Sequence, residues 1–465
     1  MKTTLFVLSW LALAGWIGPA LSRGGDAEKP CGGAISMPET PNDGWTLEAP
    51  RDEIATKGDF DGAAGVFRLS SPAIEGANGW WEKSFAVEGG KTMRFSALRL
   101  SEHVEYPRRS CAVRIEWFGP KGEAVESPEK VNPAYFGQDT TTARPEFPRD
   151  KEVRRDGWTV VEDLYAVPEK ATRAVVQLHL RWAANGSVAW KNVTFAETAA
   201  PEPRKVKLAA IHHNLPGSGH SVVENWRVFA PLIAEAAEKG ADLVVLPELL
   251  TCKGVSHDYA SLAEPVPGPS TDYFAGLAKK HDCYIVAGLP ERDGPLVYNV
   301  AVLLGPEGKI AGKYRKVTLP REEIQRGIAP GHDYPVFETR FGKVGMMICY
   351  DVFFPEVARQ LAKNGAEVIA LPIWGGNPRL AAARCAENGV YLVSSTYTDH
   401  HANWMKSAVW NREGDRLAEA AEWGSVVMAE VDLNERTYWN GLGDFQARIA
   451  REAPVWEAEA EKTQP

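Results

Sequence analysis

The spacing of apolar positions changes near residue 198. Before it, short apolar runs alternate with polar residues at a period of two, and glycines break them up. Gly79-Trp80-Trp81-Glu82-Lys83-Ser84-Phe85-Ala86-Val87 stops at Gly89-Gly90, and Met93-Arg94-Phe95-Ser96-Ala97 follows. Cys111-Ala112-Val113-Arg114-Ile115-Glu116-Trp117 ends near Gly119. Ala174-Val175-Val176-Gln177-Leu178-His179-Leu180 precedes Asn185-Gly186 and then Val188-Ala189-Trp190. Successive side chains of a strand face opposite ways, so these runs predict strands with one buried face. Several such strands between turns predict an all-β sandwich. Asn185-Gly186 predicts the tight turn of a hairpin spanning residues 182–195.

Thr198-Ala199-Ala200-Pro201-Glu202-Pro203-Arg204-Lys205 has the composition of a linker. Beyond it, apolar strands alternate with amphipathic helices. Strands are expected at residues 206–211, 243–246, 284–287, 345–348, 368–371 and 390–394. Helices are expected at residues 225–239, 270–281 and 354–364. This alternation predicts a layered α/β domain with helices covering sheets. The expected organisation is a sandwich at residues 23–197, a linker at 198–205, an α/β domain at 206–450 and a tail at 451–465.

Residues 1–22 belong to neither pattern. Lys2 precedes the apolar run Leu5-Phe6-Val7-Leu8-Ser9-Trp10-Leu11-Ala12-Leu13-Ala14, and small residues return at Ala20 and Ser22. A positive start, a short apolar core and a small-residue exit predict a signal peptide, with an uncleaved membrane anchor as the alternative. The expected location is periplasmic or extracellular. No later run is long and apolar enough for a membrane span, so no stable membrane insertion is expected after cleavage.

At 465 residues the chain exceeds what one core usually serves, which agrees with two domains. The formal charge of -9 argues against a nucleic-acid partner, because a phosphate backbone is bound by a dense basic surface. Of the six cysteines, Cys31 and Cys111 are candidates to pair in an oxidising compartment. Cys252, Cys283, Cys349 and Cys385 lack zinc-ligand spacing, and His212, His213, His257 and His332 do not form a sequence-level metal motif.

Three segments carry candidate chemistry. Leu246-Pro247-Glu248 follows an apolar strand, and proline ends the ladder to leave Glu248 at the strand exit. In Gly312-Lys313-Tyr314-Arg315-Lys316-Val317-Thr318-Leu319-Pro320, Lys316 lies just before apolar positions. There its stem can enter a packed site while its ammonium meets carboxylates. In Gly345-Met346-Met347-Ile348-Cys349-Tyr350-Asp351-Val352-Phe353-Phe354-Pro355-Glu356, Cys349 stands between a strand and a helix. Backbone N–H groups at such a turn can face developing negative charge. Taken singly, each also reads as a solvated loop residue or an inert core cysteine. No Gly-x-Ser-x-Gly turn supports a serine hydrolase, and Gly375-Gly376 lacks the Lys-Ser/Thr of a phosphate loop.

Together, residues 206–440 resemble the carbon–nitrogen hydrolase, or nitrilase-like, superfamily. The resemblance extends through Gly365-Ala366-Glu367-Val368-Ile369 and Arg384-Cys385-Ala386-Glu387-Asn388-Gly389-Val390. It implies a four-layer αββα domain, commonly dimeric, without metal or organic cofactor. A homodimer is therefore expected. It further implies that Glu248 is the general base, Cys349 the nucleophile and Lys316 an oxyanion stabiliser acting with the backbone N–H of Tyr350. Glu323, in Arg321-Glu322-Glu323-Ile324, would orient Lys316 and contact the substrate amide, and Asp351 would fix the nucleophile turn. Tyr350-Asp351 resembles the amidase and carbamoylase side, since Trp-Glu is usual in true nitrilases. The paired arginines of N-carbamoyl D-amino acid hydrolases are missing after Cys349.

Tyr273, Trp374, Asn377 and Arg384 are candidates to shape or support the pocket, with Trp374 equally able to pack beneath it. The expected substrate is a small amide or an N-carbamoyl compound, hydrolysed through an acyl-enzyme with release of ammonia or an amine. The alternatives are an N-carbamoyl amidohydrolase and a catalytically inactive exported scaffold. The front region resembles the jelly-roll sandwiches of carbohydrate-binding modules, notably in Trp190-Lys191-Asn192-Val193-Thr194-Phe195. A carbohydrate ligand is one expectation for it. Burial of Trp80, Trp81, Trp117 and Trp190, or docking on the second domain, is the other.

Overall fold

The computed structural model describes residues 44–129, 131, 141–215, 217–255 and 258–454. The signal-peptide expectation, Cys31 as a partner for Cys111, His257 and residues 455–465 lie outside the described residues. Cys111 itself is buried in the first core.

The first region is a sandwich of two antiparallel sheets. One orders Thr46–Glu48, Asn78–Ala86, Arg173–Arg181 and Val113–Phe118. The other orders Lys57–Asp61, Val66–Ser70, Ser187–Thr198, Thr92–Glu102, Thr159–Ala166 and Arg149–Val153. Trp81, Phe95, Ile115, Leu178, Leu180 and Trp190 fill the core, as strand alternation requires. Trp81, Trp117 and Trp190 are thus packing residues. Trp80 is half-buried, its ring 5.0 Å from that of His179.

The expected hairpin at residues 182–195 is not formed. Arg173–Arg181 and Ser187–Thr198 lie in different sheets, so Asn185-Gly186 turns a crossover at the sandwich edge. A two-residue type I′ hairpin needs positive φ at both central positions. Asn185 has φ 59°, but the second positive φ falls on Trp182, at 55°, rather than on Gly186. Leu178 and Leu180 on one side, and Val188 and Trp190 on the other, bury against each other across the core. That face-to-face burial overrides the local turn preference.

The second region contains two six-stranded sheets. The first orders Lys309–Arg315, Leu296–Gly305, Tyr284–Asp293, Leu243–Val245, Lys205–His212 and Ser425–Asp432. The second orders Val336–Glu338, Lys343–Met346, Val368–Pro372, Tyr391–Ser395, Ala408–Trp410 and Arg416–Glu419. The central three strands of each run parallel, and the outer ones antiparallel. Leu208, Val245, Val344, Met346, Ile348 and Val393 pack between the sheets. Helices Val222–Glu238 and Pro269–His281 cover the first sheet, and Pro355–Lys363 and Pro378–Asn388 cover the second. The layering is αββα.

The first helix begins earlier than its apolar period predicts. Ser221 accepts a hydrogen bond from the Glu224 amide at 3.2 Å, and the Glu224 carboxylate accepts one from the Ser221 amide at 2.8 Å. This reciprocal cap fixes the start at Val222. Among the described residues, no helix is long and apolar enough to cross a membrane.

From Arg436 onward the chain makes contacts with the sandwich. Helix Phe445–Glu452 packs on the short helix Pro107–Ser110, and the Arg451 guanidinium lies 3.3 Å from the Phe147 ring centre. Arg436 reaches Glu129 at 3.1 Å, Glu146 at 2.6 Å and Asp444 at 3.3 Å. Burial raises the Glu146 pKa to about 7, against the opposing pull of Arg436. A carboxyl raised in the folded state favours folding below its ordinary range, and that contribution is lost as pH rises through the raised value. Wild type should therefore lose more stability between pH 5 and pH 8 than Glu146→Gln, as read by urea unfolding. Equal losses would show that this carboxyl does not govern the junction.

Candidate active site

The site forms where strands of both sheets end. The segment Leu246-Pro247-Glu248 follows strand Leu243–Val245, and Lys316 follows Lys309–Arg315. Cys349 comes three residues after Lys343–Met346, while Glu323 sits on the short helix Arg321–Gln325. Reactive groups at strand exits can face an open crevice while the strands hold their backbones.

Backbone packing fixes the first carboxylate. The Tyr397 hydroxyl donates to the Glu248 carbonyl at 2.8 Å, and the Leu250 amide donates to the Gly288 carbonyl at 2.9 Å. A side-chain carbon on Gly288 would lie 2.8 Å from the Glu248 Cα, so only glycine lets the neighbouring strand approach this closely. The Glu248 carboxylate is then held by three N–H donors. Its Oε1 accepts from Lys316 Nζ at 2.9 Å and Asn299 Nδ2 at 2.8 Å, while Oε2 accepts from the Trp374 amide at 3.0 Å.

Lys316 lies between two carboxylates. Its Nζ also donates to Glu323 Oε1 at 2.7 Å, and Asn299 Nδ2 bridges to the same oxygen at 3.1 Å. Burial disfavours the Lys316 charge, but Glu248, Cys349 and Glu323 together outweigh it and raise its pKa. The ammonium therefore stays charged and is no base. Burial raises the pKa of Glu323; Lys316 opposes this and Glu248 adds to it. Glu323 Oε2 is buried with no hydrogen-bond partner among the described residues, which leaves one acceptor for a bound molecule.

Cys349 begins the 3₁₀ turn Cys349–Phe353 with φ 44°, a left-handed conformation that costs a non-glycine residue energy. Asp351 holds that turn from within. Its Oδ1 accepts from the Thr318 amide at 3.0 Å and hydroxyl at 2.5 Å. Its Oδ2 accepts from the Tyr314 hydroxyl at 2.7 Å and the Ile348 amide at 2.8 Å. The Cys349 thiol hydrogen-bonds with Glu248 and with the Trp374 amide. Burial and the Glu248 charge push the thiol pKa up, against Lys316 and the Trp374 amide. The sulfur is thus held as a thiol beside a carboxylate that can take its proton. The Tyr350 amide lies in the first turn of that 3₁₀ segment, where N–H groups lack intrahelical acceptors.

The four candidate pocket residues separate. Trp374 is in the site through its backbone, and the residue is 39% exposed. Arg384 is buried, with Nε donating to the Val352 carbonyl at 3.1 Å and Nη1 to Glu387 at 2.7 Å. It braces the nucleophile segment. Asn377 caps helix Pro378–Asn388, accepting from the Arg379 amide at 2.9 Å. Tyr273 stacks on Trp226, with ring centres 5.1 Å apart, and packs partly buried against the helix-covered core. An aromatic residue on a helix face is drawn to that layer by burial.

Two site residues escape sequence reasoning. Asn299 interrupts the apolar strand Leu296–Gly305, and that lone polar position was its available signal. Tyr397 follows Ser394-Ser395-Thr396 and gives no comparable mark. Among the described residues, Asp399, His400 and His401 have potential ligand atoms within 4.8 Å of one another. Asp399 Oδ1 accepts from the His401 amide at 2.8 Å, a hydrogen bond that folds this exposed loop locally.

Comparisons with known proteins bear on this arrangement. The family model for carbon–nitrogen hydrolases matches residues 207–440. A protein named nitrilase from Pyrococcus abyssi is 39% identical over 222 residues, covering 45% of this chain and 84% of that protein. Omega-amidase NIT2 of Xenopus tropicalis is 33% identical over 252 residues, covering 50% of this chain and 88% of its own length. The crystal structure of Saccharomyces cerevisiae Nit3, a nitrilase superfamily member, aligns at 27% identity with a TM-score of 0.45. That alignment covers 50% of this chain and 93% of the yeast chain.

Proposed function

This chain belongs to the carbon–nitrogen hydrolase family, and on that premise we propose that it is a thiol amidase acting on small amides. The observation that carries the reading is the Cys349 thiol hydrogen-bonded to Glu248, with Lys316 held between Glu248 and Glu323. Glu248 takes the thiol proton as sulfur attacks the amide carbon, which lets a thiol of raised pKa react without a standing thiolate. The developing oxyanion is stabilised by the Lys316 ammonium and the Tyr350 amide.

Glu248 then returns the proton to the departing nitrogen, and the carbon–nitrogen bond breaks to leave a thioester. Water attacks the thioester carbon while Glu248 accepts its proton. Collapse breaks the carbon–sulfur bond, releases the acid and restores the thiol. The unpartnered Glu323 Oε2 suits acceptance of a hydrogen bond from the substrate amide N–H. The relatives named omega-amidase support an amide substrate, as does Tyr350-Asp351 after the nucleophile. Export is proposed on Lys2, the apolar run that follows and the small residues Ala20 and Ser22.

Primary amides and N-carbamoyl compounds should be compared for ammonia release, with intact-mass detection of the enzyme during turnover. A mass increase equal to the acyl group, with ammonia and the free acid as products, is expected. Carbon dioxide as co-product would assign the carbamoyl reading instead. Turnover without a covalent adduct under rapid quench would count against the thioester.

A further inference from the structure

Past strand Tyr391–Ser395 and Tyr397, the chain forms a short loop at Asp399-His400-His401. The His401 amide donates to Asp399 Oδ1 at 2.8 Å, and the Ala402 amide to the Asp399 carbonyl at 2.9 Å. That turn folds the carboxylate toward both imidazoles. His401 Nδ1 lies 3.0 Å from Asp399 Oδ1, and His400 Nδ1 lies 3.7 Å from the same oxygen. The two rings have centres 3.8 Å apart. Each of the three side chains brings a ligand atom within 4.8 Å of the other two.

These separations suit one small ion. Zinc bonds imidazole nitrogen and carboxylate oxygen at about 2.0 to 2.2 Å, so tetrahedral ligand atoms stand roughly 3.3 Å from one another. The observed 3.0 and 3.7 Å straddle that edge. Two imidazoles with one carboxylate favour zinc, nickel or copper over magnesium. Because the ligands are consecutive residues, holding them together orders little further chain.

Unpartnered nitrogens add a second observation. His400 Nδ1 is buried and has no hydrogen-bond partner among the described residues. His212, fully buried, is fixed through Nδ1 by Ser407 Oγ at 2.9 Å, while its Nε2 is likewise unpartnered. It lies near enough to His400 to feel that residue's charge. A ring held through one nitrogen with the other open is the arrangement of a metal-binding imidazole. His212 is therefore a candidate fourth ligand.

The loop is also joined to a wall of the active site. Tyr397, two residues before Asp399, donates its hydroxyl to the Glu248 carbonyl, and the Met405 amide donates to the Gly376 carbonyl at 2.7 Å. A side-chain carbon on Gly375 would lie 2.7 Å from the Trp404 ring and 2.9 Å from Thr398 Oγ1. The loop thus packs directly on the segment after Trp374, whose amide holds Glu248 Oε2.

We propose that Asp399, His400 and His401 bind a zinc-class divalent cation, which holds the loop at residues 398–405 against residues 374–376. The ion is structural and takes no part in bond breaking. The site therefore stands apart from the amidase reading.

The test titrates zinc by calorimetry into the untagged full chain carrying Cys349→Ala, which keeps the metal off the nucleophile. Saturable binding is expected at this loop. The double change His400→Ala with His401→Ala should weaken it by about 100-fold or more. Asp399→Asn keeps the oxygen that accepts the His401 amide, and should weaken binding by about tenfold. Magnesium should not compete. Hydrogen exchange of the amides at residues 399–405 should slow about tenfold at zinc ten times its Kd, and should ignore zinc in the double variant. Absence of saturable zinc binding, or binding that the double variant retains in full, overturns the site. Zinc held by these residues without slower loop exchange overturns its bracing role.

Discussion

Cys349→Ala should lose amide hydrolysis by roughly four orders of magnitude or more while keeping its fold. The sulfur is the atom that bonds the acyl group, and neither Glu248 nor Lys316 can replace it. Alanine accepts the backbone at φ 44° about as well as cysteine does, because both carry a Cβ. The lost packing of one sulfur atom should cost only about 1 kcal/mol. Ammonia assays at matched folded concentration, with melting curves and intact mass, separate the two effects. Equal ammonia release by wild type and variant would reject the nucleophile.

Lys316→Met should act on activity and stability together. Turnover should fall roughly 100- to 1,000-fold through loss of an oxyanion donor. The same change strips the shared cation from Glu248 and Glu323, which are 2% and 6% exposed. Breaking a buried ion pair by removing one partner typically costs about 3 to 5 kcal/mol. Part of that cost should be recovered in acid. Lys316 opposes the burial that raises the Glu323 pKa, so its removal raises that value further. A carboxyl raised in the folded state favours folding at low pH, and the benefit fades as pH climbs through the raised value. Urea unfolding should therefore show a smaller deficit at pH 5 than at pH 8. A deficit independent of pH would place its origin in packing rather than in the stranded carboxylates.

The two results discriminate between roles. A nucleophile is needed for the bond it forms, and its loss is chemical. Lys316 also neutralises the interior in which that bond forms, so its loss reaches the fold. Glu323 lies between the cases: Lys316 takes one of its carboxylate oxygens, and the other is open to a bound molecule.

Much of this was legible along the chain because the governing forces are local. Period-two runs gave the sandwich strands, since burial selects alternate side chains over only a few residues. Pro247, ending an apolar run, placed Glu248 at a strand exit, and Cys349 followed Met346-Met347-Ile348 in the same way. The motif order along residues 206–440 carried the family resemblance, and the family match at residues 207–440 agrees with it.

Other features depended on partners that no local rule identifies. Glu248 meets the Trp374 amide 126 residues onward and the Tyr397 hydroxyl 149 residues onward. Asn299 becomes a bridge only because two strand exits and a short helix converge on it. Tyr273, aromatic and near helix Pro269–His281's start, went to Trp226 because the helix face toward that neighbour is the one the fold covers.

By itself, then, the sequence determined the element types, the strand exits that present Glu248, Lys316 and Cys349, and the chemical kinds of group available. Tertiary structure alone decided that Asn185-Gly186 crosses between sheets, that Arg436 is enclosed by Glu129, Glu146 and Asp444, and that Asn299 bridges Glu248 and Glu323. The difference is one of range. Backbone sterics and side-chain periodicity act between neighbours in the chain, whereas burial and charge pairing act between neighbours in space.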